Sequence, residues 1–129
     1  SASEREDFPA VLHNCSNFLE EILKLIYLSD FGTEYYKHNK VDDNTFKKLL
    51  VQKNPKNNEA YDYGLPKKIL DYLHEIYIDR NRISGAGHGK LKIPDFSKED
   101  AIISFTITKA VYEIAVKNKN IQNIDTRNL

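Results

Sequence analysis

Apolar residues recur at spacings of three and four in four separate segments, and no segment alternates apolar with polar. That pattern leaves little room for strands. In the first segment, about residues 8–29, Leu12, Cys15, Leu19, Ile22, Leu23 and Ile26 form one stripe. Val11, Phe18 and Leu25 widen it, which predicts a helix covered on more than one side. Pro9 suits the first turn, and Asp30-Phe31-Gly32 reads as the stop. A shorter helix is expected over about 43–53, with Phe46, Leu49 and Leu50 inward and Asp42 or Asp43 as its cap. A polar loop, 54–58, ends it. The third helix follows Gly64, carries Pro66 in its first turn and runs to about residue 83. The fourth opens at Ser97-Lys98-Glu99-Asp100, a capping box with Asp where Glu or Gln is usual. It continues through Ile103, Ile107, Val111 and Ile114 to about residue 117. The expected fold is an all-α antiparallel bundle of four to five helices. The tyrosines around Tyr35-Tyr36 and Tyr61-Tyr63 fall in connections and are expected to pack as lids.

At 129 residues the chain suits one domain with a core that needs no disulfide. The expected division is a disordered segment or tag scar at 1–7, the bundle at 8–118 and a flexible tail at 119–129. Cys15 is the single cysteine, so no intrachain disulfide can form, and a reducing, cytoplasmic setting is expected. No apolar run approaches the ~18 residues of a membrane span. The N-terminus is polar and acidic where a signal peptide would be basic and then apolar. It lacks an initiator Met, which points to a processed form or an excised domain. Lys plus Arg and Asp plus Glu are both 19, giving a formal net charge of zero. That balance excludes a generic nucleic-acid coater, whose affinity needs a basic excess. A nuclease that holds one phosphate in a local pocket is not excluded.

One stretch breaks the bundle pattern: Asp79-Arg80-Asn81-Arg82-Ile83-Ser84-Gly85-Ala86-Gly87-His88-Gly89-Lys90. Three glycines within five residues cost backbone entropy and imply a bent backbone or a close approach. At ~100° per residue, Ile69, Leu73, Ile76 and Ile83 share a narrow sector, and Arg80 falls in its middle. Arg82 points away, near Tyr72, Glu75 and Asp79. A buried guanidinium without a partner is costly. Arg80 therefore requires an anionic partner, a cleft or another subunit. Glycines on both sides leave the His88 ring accessible, and imidazole titrates near neutral pH. Arginine can grip a phosphate and stabilise the charge of a transition state. Together they suffice to cleave a phosphodiester whose substrate carries its own nucleophile, as RNA does with its 2′-OH. The bland readings are a snorkelling helix-end arginine, an exposed loop histidine and an ordinary helix-end Asn81.

Arg80-Asn81, a glycine-rich turn and Gly87-His88-Gly89 resemble the signature of the abortive-infection C-terminal domain, a branch of the HEPN superfamily. The likeness covers 80–90 as a motif and the whole chain only in helix count. It implies a small helical bundle that dimerises and a metal-independent endoribonuclease with no cofactor. It also implies a composite cleft where Arg and His of two protomers meet. Arg80, His88 and Asn81 would be catalytic, with Arg82 and Lys90 as further phosphate contacts and RNA as the partner. The family's gap is usually shorter than the seven residues between Arg80 and His88. Arg82 fits the gap but is followed by Ile83. Arg80 is preferred because Asn81 follows it and its sector is inward; an insertion around Ser84 accounts for the difference.

Other constellations are weaker. Gly85 to Lys90 lacks the glycine spacing and the Ser or Thr of a P-loop, and no strand precedes it. His13, His38, His74 and His88 have no metal-ligand spacing, so no metal site is expected. Cys15 reads as a buried inert thiol and His74 as a surface or interface residue. Surplus apolar residues (Leu70, Tyr77 and Ile78, then Ile102, Phe105, Tyr112 and Val116) predict a symmetric homodimer through the third and fourth helices, with the third helices near the axis. An effector role in phage defence would add an antitoxin or an N-terminal regulatory domain as partner. The rival readings are a non-catalytic module of the same lineage, for dimerisation or RNA or nucleotide binding, and a plain interaction bundle.

Overall fold

The computed structural model describes residues 7–86 and 96–127. The elements are helix α1 (Phe8–His38), a single 3₁₀ turn (Val41–Asp43), helix α2 (Phe46–Leu50), helix α3 (Lys67–Ala86) and helix α4 (Lys98–Asn118). No named strand occurs among the described residues, where an isolated bridge joins Lys53 to Ala60. The fold is all-α.

α1 is the central element and packs on α2, α3 and α4. Its predicted stripe is the core: Leu12, Cys15, Leu19, Ile22, Leu23 and Ile26 are buried, and Phe18 joins them. Being covered on several sides is what the widened stripe required. Each buried Leu or Ile contributes about 1.5–3 kcal/mol over its exposed state. α4 lies along α1 through small side chains, with Ala101, Ser104, Thr108, Val111 and Ala115 buried. Thr108 Oγ1 donates to the Ser104 carbonyl at 2.7 Å. Ser16 Oγ, on the facing α1, is buried without a partner among the described residues.

Several boundaries differ from expectation. α1 does not stop at Gly32. That residue takes φ +86° and ψ 172°, and the chain then resumes helical geometry to His38. The break is local because only one residue needs the glycine-only conformation. The residues after it place Tyr36 in the lid cluster instead of a free connection. The helix expected over 43–53 shrinks to α2, because Thr45 rather than Asp42 or Asp43 is its cap, accepting from Lys48 N at 3.3 Å. Past Leu50 the Lys53–Ala60 bridge takes the chain in another direction. α3 runs further than expected, so Ser84, Gly85 and Ala86 continue the helix backbone that was read as loop. α4 carries the capping box as foreseen, Ser97 with Asp100 in both directions.

The tyrosine lid is dense. Tyr61 stacks edge-on with Tyr27 and Phe31 at 5.8 and 4.9 Å, and Tyr63 is fully buried. Polar tips find partners: Tyr63 Oη donates to the Leu49 carbonyl at 2.6 Å, and Tyr61 Oη donates to Asp30. Lys119 Nζ donates to both oxygens of Asp30 at 3.1 Å. In the stretch after α4, expected to be loose, Ile121 and Ile124 lie against the core.

Candidate functional site

Arg80 sits near the C-terminal end of α3, on the inward sector. Its Nη1 lies 3.1 Å from Glu20 Oε2 of α1, with side chains 28% and 21% exposed. The anionic partner demanded by its position is therefore Glu20. Sequence reasoning required such a residue but did not name it. The hint was an acidic pair, Glu20-Glu21, beside the apolar stripe of the first helix. Choosing between them needs the register of α1 against α3.

Arg82 points outward, 58% exposed, with Nη1 4.0 Å from Asp79 Oδ1. This is the neighbour its wheel position indicated. Asn81 is exposed between the two arginines. The three side chains thus diverge around the helix: Arg80 against α1, Arg82 towards Asp79, Asn81 to solvent. His88 and Lys90 lie outside the described residues. The structure joins Arg80 to Glu20 and separates it from Arg82.

Along the middle of α3, a groove of about 280 Å³ runs between α3 and α4. Tyr72, Glu75 and Asp79 line it from α3, and Asp100, Ile103 and Ile107 from α4. Burial, then Asp100 and Glu75, raise the Asp79 carboxyl above its ordinary value, against the pull of Arg82. Three carboxylates repel a phosphate, so this groove is no seat for an RNA backbone. Nor do the carboxylates form a cluster able to hold a metal ion among the described residues.

The remaining candidates behave as structural groups. Cys15 is buried, and burial raises its thiol pKa despite the Thr108 hydroxyl, so it stays protonated and inert. His74 is exposed on α3, as expected of a surface or interface residue. No helix among the described residues is long and apolar enough to cross a membrane. Comparison with family models, curated proteins and solved structures finds no match to this chain.

Proposed function

We propose that the chain is a HEPN-type, metal-independent endoribonuclease domain of the abortive-infection C-terminal kind. One observation supports this above the others: a half-buried guanidinium, held by Glu20, sits about two turns before the end of α3, upstream of Gly87-His88-Gly89. A guanidinium fixed by one carboxylate keeps its remaining N–H groups for a phosphate.

In this reading His88 takes the proton of the RNA 2′-OH, whose oxygen attacks the adjacent phosphorus. Arg80 stabilises the charge that gathers on the phosphorane oxygens. The bond from phosphorus to the 5′ oxygen breaks and that oxygen takes a proton, leaving a 2′,3′-cyclic phosphate and a 5′-hydroxyl. Asn81 orients the pair or donates to the phosphate, and Arg82 and Lys90 make outer phosphate contacts. No cofactor is called for. Two protomers complete the cleft by pairing through α3 and α4, where Ile78, Ile102, Ile103 and Phe105 are exposed. An antitoxin or regulatory domain would restrain such an enzyme in the cytoplasm.

The test is digestion of RNA in EDTA with wild type and His88→Ala. Cleavage by wild type ending in cyclic phosphate, lost in the variant, is the expected result. Undiminished cleavage by the variant would refute the assignment. A second reading, a non-catalytic RNA- or nucleotide-binding module, draws on the engagement of Arg80 with Glu20. Binding without cleavage by wild type would favour it.

A further inference from the structure

The α3–α4 groove is apolar at Tyr72, Ile103 and Ile107 and acidic at Glu75, Asp79 and Asp100. Tyr72 and Ile103 are exposed large hydrophobics. Water therefore wets an apolar surface bordered by negative charge. A surface of that kind fits a counterpart that is apolar and positive.

The same chain carries such a counterpart. Val51, just past α2, is 65% exposed. Lys47 and Lys48, four and three residues earlier, are exposed on that side of the short helix, and Lys53 is exposed just beyond. The inward residues of α2 are Phe46 and Leu49. The result is an apolar knob set among lysines.

α2 and the groove adjoin the same span of α3. Phe46 of α2 meets Tyr77 edge-on at 6.3 Å, within the 72–79 span that lines the groove. Around the helix Tyr77 stands about 140° from Tyr72, with buried Leu73 between them on the inner side. On the outer side, between the flanks, Ile78 is 47% exposed. A two-fold axis parallel to α3 lays the left flank of one copy over the right flank of the other, without changing height. It brings the two Ile78 side chains together.

We infer that the groove receives a second copy of this chain: Val51 and the lysines of one protomer seat in the α3–α4 groove of its partner, reciprocally, with paired α3 helices at the axis. This rests on the dimer part of the reading above and not on ribonuclease activity. A two-fold axis perpendicular to α3 instead sets groove against groove, stacking like charges, so complementarity selects the parallel arrangement.

The experiment is sedimentation velocity across concentrations on the 129-residue chain and two charge-reversed variants, Glu75→Lys with Asp79→Lys, and Lys47→Glu with Lys48→Glu. Circular dichroism checks that each variant keeps its helix content. The wild type is expected to dimerise, and each variant alone to do so at least about tenfold more weakly, since each sets like charges together. An equimolar mixture of the variants should recover a dimer, because one half of that heterodimer is wild type on both sides and the other is reversed on both. A monomeric wild type at ~100 μM overturns the dimer itself, at an affinity weaker than stable association implies. Variants that self-associate as tightly as wild type, or a mixture that stays monomeric, overturn this arrangement while leaving other dimers open.

Discussion

The Glu20–Arg80 pair shows what a single position can and cannot announce. The apolar sector of the third helix made an arginine at position 80 conspicuous, because desolvated charge is costly without a partner. It could not reveal which carboxylate answers, since that depends on how two helices slide past each other. Both side chains keep roughly a quarter of their surface in water, so the pair is worth less than a fully buried one. Glu20→Ala should cost about 1 kcal/mol in urea unfolding. Arg80→Ala added to it should cost less than the sum of the separate losses, by roughly 0.5–1 kcal/mol. Additive losses would show the two residues to be energetically independent. His88 belongs to the same scale, and its glycine-flanked setting is a property of the sequence alone.

At the scale of elements, legibility followed the strength of local signals. α4 was readable to within a residue at its start, because Ser97 and Asp100 satisfy each other's backbone donors and fix the first turn. α2 was not, because its cap is Thr45 and not Asp42 or Asp43, and the loop chemistry beyond it set its length. Gly32 reads in the sequence as the end of the helix, and it is a break within α1. A single residue at φ +86° kinks the helix, yet the neighbours keep helical dihedrals. A Cβ there would meet open space, so the penalty of substitution is purely conformational. Gly32→Ala is expected to destabilise by about 1–3 kcal/mol. An unchanged urea midpoint would mean that this backbone can relax without loss.

For the whole molecule, the tyrosine lid makes alkaline pH the informative axis. Burial, with the Asp42 carboxylate, pushes the Tyr36 phenol up to about 12, from an ordinary value near 10. Burial raises Tyr61, with help from Asp30, and raises Tyr63 as well. The unfolded chain therefore loses these protons before the folded chain does. Stability stays level while both states are protonated and falls as pH rises above about 10, where only the unfolded state has ionised. Cys15, also raised by burial, starts the decline slightly earlier. Urea midpoints between about pH 8 and 11 should trace that fall, with Tyr61→Phe showing a shallower slope. A flat profile would contradict the lid as described. The bundle class was legible because periodicity is a whole-chain property; the tyrosines were legible as a lid, but not their partners Tyr27 and Phe31, which α1 supplies from within its own length.

Asp30 receives a phenol from residue 61 and an ammonium from residue 119. Its two partners thus lie 31 and 89 residues further along the chain. During synthesis, this knot cannot be tied until residue 119 has left the ribosome.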